Sequence, residues 1–185
     1  MSYLQTALKA LTDVQKHYPD ALIAGGFLRD TATGRTPKDI DIFIPHQELP
    51  RGFPLASELS VEGGAQYASG TEVECLWDLT GYELPVQIIM LRPGMDPVER
   101  SQNHDFGICQ IWWNGVGQAE YSEAFIHDIR HKTFTLTHCE DESEYKRSIR
   151  RWDRLSQKYP EFSLVIPDKF QRFAADEFED WVKSL

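Results

Sequence analysis

The hydrophobic pattern of the chain begins with a helical period and then changes to short apolar runs. Residues 21–24 form an apolar run that ends at Gly25-Gly26, and a second run carries Asp39 and Asp41 among isoleucines up to position 44. Both runs predict β-strands, joined by a short segment that ends at Gly34. Before them, residues 2–17 predict an amphipathic helix that packs on the sheet through Leu4, Ala7, Leu8, Leu11 and Val14.

The middle of the chain has the pattern of short strands separated by turn residues. Residues 72–79 and 84–91 are strand-like runs on either side of residues 80–82, which predicts a hairpin. Asp96-Pro97 is typical of a helix start, because aspartate caps helices and proline suits the first helical position. The other predicted elements are a loop at 45–54, strands at 106–113, 118–121 and 133–137, and helices at 97–103 and 123–130.

The C-terminal part of the chain is helical in pattern. Residues 143–158 predict a helix, a further helix begins at Asp168, and the acidic segment before position 144 suggests a boundary between residues 1–139 and 140–185. From Glu142 to Lys158, six basic residues outnumber three acidic ones. This basic face either contacts RNA or phosphate or is a solvated face paired with nearby acids; the residues in question are Arg147, Arg150, Arg151 and Arg154.

Composition narrows the class of protein. The 185 residues, 41% of them hydrophobic, are enough for one buried core, and the net charge of −10 repels nucleic acid at long range, so any RNA contact has to be local. No apolar run is long enough to span a membrane, and the N-terminus lacks a signal-peptide pattern, so we expect a cytoplasmic protein. Cys75, Cys109 and Cys139 are expected to be buried, reduced thiols.

The candidate chemistry lies between residues 22 and 44. Glycines at the turn between a strand and a helix let the backbone approach a ligand, and a helix N-terminus favours phosphate. Asp39 and Asp41 are two positions apart, about 7 Å along a strand, so alternation places both carboxylates on one face. Two adjacent carboxylates repel each other unless a cation lies between them, and Mg²⁺ (or Mn²⁺) is the expected ion.

These residues carry a resemblance to a known family. Gly25-Gly26, Arg29-Asp30, Gly34 and Asp39-x-Asp41, in this order between two apolar strands, resemble the signature of the DNA polymerase β-type nucleotidyltransferases. Within that superfamily the chain is similar to the head domain of tRNA nucleotidyltransferases and poly(A)-polymerase-like proteins, as in minimal, phage-encoded members. The resemblance implies an α+β fold with a mixed, twisted nucleotidyltransferase-type sheet, flanking helices and, here, a short C-terminal helical appendage.

The resemblance also implies a third metal-binding carboxylate, and here the sequence departs from the family. Gln87 stands where that acid is expected, and an amide supplies a neutral oxygen but no charge. Asp105 would replace the missing acid if its strand lay beside that of Gln87; otherwise Asp105 caps a turn or pairs with an arginine.

The activity implied by the resemblance is transfer of an NMP from an NTP to a hydroxyl of an RNA or tRNA end or of a protein. Asp39, Asp41 and Asp105 would hold the metal ions, and the triphosphate would be bound by Gly25, Gly26, Arg29, Lys38, Gln87 and Arg92. Arg29 could instead form a structural ion pair with Asp30. The alternative functions are an inert nucleotide- or RNA-binding regulatory module that has lost the third carboxylate, and a metal-independent interaction protein. If the protein is phage-encoded, its expected location is the host cytoplasm.

Overall fold

The fold is α+β, with one large mixed sheet and helices on its flanks, as the sequence predicts. The computed structural model describes residues 2–46, 61–66 and 72–173. Its helices are α1 (Tyr3–Gln15), α2 (Gly26–Ala32), α3 (Pro97–Gln102), α4 (Glu123–His131) and α5 (Glu142–Lys158). Its strands are β1 (Leu22–Ala24), β2 (Ile40–Ile44), β3 (Val61–Gln66), β4 (Val73–Leu79), β5 (Val86–Leu91), β6 (Ile111–Trp113), β7 (Glu120–Tyr121), β8 (Thr133–Thr135) and β9 (Ser163–Val165).

The described residues form two compact units, and each unit is made of two separate segments of the chain. The first comprises residues 1–102 and 111–121, and the second comprises residues 103–110 and 122–185. The predicted boundary after residue 139 falls inside the second unit. No helix in the described ranges combines the length and the apolar character that crossing a membrane requires.

A seven-stranded sheet, in the order β3-β4-β5-β2-β1-β6-β7, organises the first unit. β2 and β5 are parallel, whereas β1 is antiparallel to both of its neighbours, β2 and β6. β4 and β5 form the predicted antiparallel hairpin. The central strands are apolar because both faces of the sheet are covered over most of their length.

The two faces of this sheet differ at one end. On one face, Ile40, Ile42 and Ile44 are fully buried, and so is Ile88 of β5. The other face carries an apolar cluster of Leu22, Ala24, Phe43, Ile89, Leu91 and Trp112, against which Met95 and Val98 pack. Towards the start of β2 the same face becomes polar, because Asp41 and Gln87 lie two positions before Phe43 and Ile89. The sheet therefore has a polar end that the apolar cluster does not cover.

Helix α1 is attached to the sheet through polar contacts at its C-terminal end. Gln15 donates to the carbonyl oxygens of Ala21 and Asn114, each at 2.9 Å. Asp13 accepts a hydrogen bond from Tyr82 Oη, in the loop between β4 and β5, at 2.8 Å. Three of the five predicted packing positions, Ala7, Leu11 and Val14, are buried, whereas Leu4 and Leu8 are 47% and 41% exposed. Thr6 and Ala10 are buried as well.

The second unit is built around α4, α5 and a small parallel sheet of β8 and β9. The ring of Phe134 lies 5.1 to 5.7 Å from the rings of Phe106, Trp152, Tyr159 and Phe162. The fully buried carboxylate of Asp128 accepts hydrogen bonds from the side chains of Thr133 and Thr135 and from the backbone N–H of Ile108. An aromatic core and one buried, hydrogen-bonded carboxylate thus stabilise the second unit.

One prediction from the pattern is wrong, and two strands were not predicted. Residues 106–113 are not one strand, because a 3₁₀ turn at Gly107–Cys109 precedes β6. At Gly107, a Cβ would lie 2.9 Å from Asp128 Oδ2, so the chain turns tightly against α4. β8 pairs with β9 and not with the large sheet, and β9 is a short strand that the pattern did not predict. The pattern also missed β3.

Other predictions hold within a few residues, and some lie outside the described ranges. α3 begins at Pro97 with Asp96 accepting from the N–H groups of Val98 and Glu99, as predicted for a cap. The final predicted helix is observed over residues 168–173, and its remainder lies outside the described residues, as do positions 47–54 of the predicted loop. The three cysteines are free; Cys109 and Cys139 are buried, but Cys75 is partly exposed.

Candidate active site

The turn after β1 depends on its first glycine. Gly25 has φ 74° and ψ −122°, a conformation that side chains with a Cβ avoid. Its N–H donates to Ile111 O at 3.0 Å, and its carbonyl accepts from Arg29 N at 2.9 Å. Since the Gly25 N–H is already used within the protein, any backbone contact to a phosphate would come from Gly26 and the residues after it. At Gly26 an added Cβ would meet only Arg29 Nη2, at 3.8 Å.

The two predicted carboxylates flank the start of β2. Ile40 is fully buried, while Asp39 and Asp41 on either side of it are partly exposed. Alternation along the strand gives Asp41 the face opposite to Ile40; Asp39 directly precedes the strand, and its position on the same face stays a prediction. The register of β1 with β2 pairs Leu22 with Phe43 and Ile23 with Ile42, so one further step brings Ala24 opposite Asp41. The glycine turn, which follows Ala24, thus lies beside the acid-bearing end of β2.

A row of polar side chains continues from Asp41 across the sheet. Asp41 of β2 pairs with Gln87 of β5, and Gln87 pairs with Asp78 of β4. Directly paired residues share a face, so these three side chains lie in one row. Gln87 Nε2 donates a hydrogen bond of 2.9 Å to Asp78 Oδ1. Asp78 was not among the predicted site residues, although strand alternation in the predicted hairpin gives it the same face as Gln87.

Arg29 forms the structural ion pair with Asp30 that the sequence left open. Its Nε and Nη2 donate to Asp30 Oδ1 at 2.9 and 2.6 Å, and the two side chains are 5% and 4% exposed. A guanidinium this deeply buried and tied offers little surface to a ligand. The predicted triphosphate contact of Arg29 stays a prediction.

The other predicted cations lie at different distances from the carboxylates. Lys38 is 88% exposed, and its Nζ is 4.0 Å from Asp39 Oδ2, so it belongs to the acidic end of β2. Arg92 follows the opposite end of β5, five residues and about 16 Å of strand beyond Gln87. The structure therefore brings Lys38, but not the backbone of Arg92, to the row of polar side chains.

Asp105 belongs to the second unit, whereas Asp39 and Asp41 belong to the first. It accepts hydrogen bonds from Arg151 Nη1 at 2.6 Å and from Ser148 Oγ at 3.1 Å. Burial alone would raise the pKa of this carboxyl, but Arg151, His104 and the two hydrogen-bond donors Ser148 Oγ and Phe106 N together hold the pKa below its usual value. Asp105 thus pairs with an arginine, which was the predicted alternative to metal binding. β6, the strand that follows its segment, pairs with β1 and β7 and not with β5. A metal-binding role for Asp105 stays a prediction.

The arginines of α5 do not share one environment. Arg151 is tied to Asp105, and Arg147 Nη2 lies 3.3 Å from Glu144 Oε1. Arg150 and Arg154 are exposed. Contact with RNA or phosphate is a prediction for all four residues; Arg147, Arg150 and Arg154 are exposed, whereas Arg151 is partly buried.

Two hollows of the first unit bear on the site. An apolar one of about 390 Å³ is lined by residues without titratable side chains, among them Leu4, Leu8 and Trp113, so it cannot supply the chemistry. A more polar one of about 450 Å³ lies at the β4–β5 loop and is lined by residues 78–86, including Asp78. The second hollow therefore adjoins the row of polar side chains.

The donor set suits a hard cation. Within the ranges that the structure describes, no three histidine, cysteine, aspartate or glutamate side chains converge to form a metal site by themselves. Asp39 and Asp41 provide two carboxylates, and Gln87 provides an amide oxygen in register with Asp41. Mg²⁺ is typically bound by one or two carboxylates, with substrate phosphates and water completing its shell. The residues present fit such an ion when a triphosphate supplies further oxygens.

Comparison with solved structures shows the fold. Neither a protein-family model nor a curated protein sequence matches the chain. A CCA-adding enzyme in complex with ATP superposes with a TM-score of 0.64 and 16% identity over 97% of this chain. The Thermotoga maritima CCA-adding enzyme with tRNA gives 0.63 and 15% over 97%, and the Bacillus stearothermophilus CCA-adding enzyme with CTP gives 0.61 and 20% over 92%.

These superpositions confirm the predicted resemblance at the level of the fold. This chain corresponds to 43% of the length of each of the three solved proteins, so it spans less than half of them.

Proposed function

We propose that this protein is a nucleotidyltransferase, which binds an NTP at the acid-bearing end of β2 and transfers its NMP to a hydroxyl, with an RNA end as the favoured acceptor. One observation supports the proposal: β1 and β2 pair antiparallel with Ile23 opposite Ile42, so the chain beyond Ile23 runs towards the Gly25-Gly26 turn while the residue before Ile42 is Asp41. A cation-binding pair of carboxylates then adjoins a turn at which a phosphate can approach the backbone.

The reaction has a simple balance. An acceptor hydroxyl oxygen forms a bond to the α-phosphorus, the bond from that phosphorus to the bridging oxygen breaks, pyrophosphate leaves, and the hydroxyl proton passes to solvent. A metal ion held by Asp39 and Asp41 would favour the attacking alkoxide and neutralise charge on the phosphates. Gly26 would let the triphosphate approach the turn, and Lys38 would add a positive charge beside the acids. Because little covalent chemistry is required of the protein, positioning and electrostatics dominate.

The comparisons support NTP and RNA as partners, because the similar structures were solved with ATP, CTP or tRNA. The net charge of −10 requires the RNA contact to be local. Arg150 and Arg154, exposed on α5, are the proposed phosphate contacts. The neutral Gln87 at the expected position of an acid favours a second candidate, an inert module that binds nucleotide or RNA without transfer.

A transfer assay with labelled nucleotides separates the two candidates. Each of the four α-³²P-labelled NTPs is incubated with Mg²⁺, the full chain and either trimmed tRNA or total RNA, with total protein as a separate acceptor. We expect label in RNA, and we expect Asp41→Asn to lower the rate at least about 100-fold, the loss of roughly 2.7 kcal/mol of charge stabilisation. Asp20→Asn, an exposed acid distant in sequence from β2, is the control with the same charge change and should be unaffected.

The other outcomes are equally informative. Binding of an NTP without transfer to any acceptor would identify the inert module. Transfer that is equally fast in Asp41→Asn would show that the chemistry lies elsewhere.

A further inference from the structure

The position of Asp78 suggests how the chain compensates for its missing acid. Asp78 lies on β4, one strand beyond Gln87, and directly across from it in the register. A charged oxygen is therefore present in the row, but it is displaced by one strand from the place where the resemblance implies a carboxylate.

The hydrogen bond between the two residues fixes the orientation of the Gln87 amide, with its NH₂ group towards Asp78. An ionised carboxylate only accepts hydrogen bonds, so Asp78 can pair with the NH₂ group of Gln87 and not with its oxygen. The observed bond joins Gln87 Nε2 to Asp78 Oδ1 at 2.9 Å. Gln87 Oε1 therefore faces away from Asp78, and the strand on the other side of Gln87 is β2, with Asp41 directly across.

The strand pairing supports the same arrangement. On the opposite face, Trp77, Leu79, Val86 and Ile88 are all buried, so alternation confines Asp78 and Gln87 to the face that carries Asp41. Asp78 also lines the hollow of about 450 Å³ at the β4–β5 loop. Its side chain is exposed, so a substitution there removes a charge and a hydrogen bond without opening the core.

We propose that Asp78 is a positioning residue, which orients the Gln87 amide so that its oxygen serves as the third protein ligand beside Asp39 and Asp41. This rests on the proposed function, because it assigns a partner to the metal ion of that site. A carboxylate that accepts a hydrogen bond from the NH₂ group of an amide also makes the amide oxygen more negative. The pair of Asp78 and Gln87 therefore partly restores the negative charge that an amide alone lacks.

The test exchanges the acid and the amide. Affinity for Mn²⁺ alone is measured on the full chain from the EPR signal of the free ion, for the unsubstituted protein, Asp78→Ala, and the double variant Asp78→Asn with Gln87→Glu. We expect Asp78→Ala to bind Mn²⁺ at least about 10-fold more weakly, the usual effect of losing a residue that holds a metal ligand. The double variant keeps the net charge and moves the carboxylate to position 87, so its affinity should return to within about 3-fold of the original.

Controls keep the two proposals apart. Asp20→Ala should leave Mn²⁺ affinity unchanged, and thermal unfolding should show that Asp78→Ala is folded. Unchanged affinity in Asp78→Ala, together with weakened binding in Asp41→Asn, would overturn the role of Asp78 and leave the proposed function standing. An unsubstituted protein that binds no Mn²⁺ would overturn both.

Discussion

Adjacent glycines at the end of β1 have different physical reasons to be glycine. Gly25 needs its residue type for the backbone, since φ 74° with ψ −122° is strained for any side chain. Gly26 has no such need within the described structure, because a Cβ there would make one ordinary contact, with Arg29 Nη2. Gly26 therefore leaves the backbone open to approach, as the proposed binding of a triphosphate at this turn requires.

This difference predicts opposite results for two matched substitutions. Gly25→Ala should lower the free energy of unfolding by about 1–3 kcal/mol, through backbone strain. Gly26→Ala should change it by less than about 1 kcal/mol, since alanine is the better helix former, but should weaken NTP binding. Urea denaturation and isothermal titration with Mg²⁺ and each NTP measure the two effects. Strong destabilisation by Gly26→Ala would contradict this explanation of the turn.

At the scale of elements, α1 is fastened to the β4–β5 loop by one carboxylate. Asp13 contacts Lys9 and Lys16 on its own helix at 2.9 and 2.7 Å, and Tyr82 of the loop at 2.8 Å. Partial burial would raise the pKa of Asp13, but hydrogen bonds from Lys16, Lys9 and Tyr82 lower it to about 2. The same loop lines the hollow beside Asp78, so this contact helps to shape the candidate site.

The lowered pKa of Asp13 predicts a pH dependence of stability. Because the folded-state pKa is below the ordinary value of 3.8, the stabilisation is fully present above about pH 5 and is lost as the pH falls towards 2. Asp13→Asn should therefore be less stable than the unsubstituted protein by about 1 kcal/mol at pH 6, allowing for the exposed lysines, and the difference should shrink as the pH falls and disappear only below about pH 2. Urea denaturation at a series of pH values measures it, with Asp20→Asn as control. A difference that stays constant with pH would contradict the ion-pair explanation.

Sequence patterns predicted elements well where one local signal decides them. Asp96-Pro97 started α3 and turn residues joined β4 to β5, because caps and turns depend on neighbouring residues. Residues 106–113 failed because an apolar run does not distinguish a strand from a tight buried turn, and here Asp128, some 20 positions away, accepts from Ile108 N and fixes the turn. Contacts between distant residues are not visible in a local pattern.

In the whole molecule, the order of strands in the seven-stranded sheet explains which residues of the candidate site could be predicted from the sequence. Asp39, Asp41 and the glycine turn belong to the consecutive elements β1, α2 and β2, so their proximity follows from one strand-helix-strand segment. Asp78 depends on the order β4-β5-β2, which joins segments more than 30 residues apart. The partner of Arg151 was equally hidden, because it required the fold of the second unit.

The acidic net charge of the chain limits how the proposed site can bind its substrate. The net charge of −10 opposes a polyanionic substrate at long range, so the proposed binding has to come from cations held at the site and from local basic residues. If the site depends on a bound cation, the nucleotide should bind only when that cation is present. The position of the cation is therefore the most specific prediction of the proposal.

The proposed site can be tested by a crystal structure of the full chain with an NTP and Mn²⁺, in which anomalous scattering locates the ion. We expect Mn²⁺ in contact with carboxylate oxygens of Asp39 and Asp41, with the triphosphate against the turn at Gly25 and Gly26. A nucleotide bound away from that turn, or Mn²⁺ bound without either aspartate, would contradict this expectation.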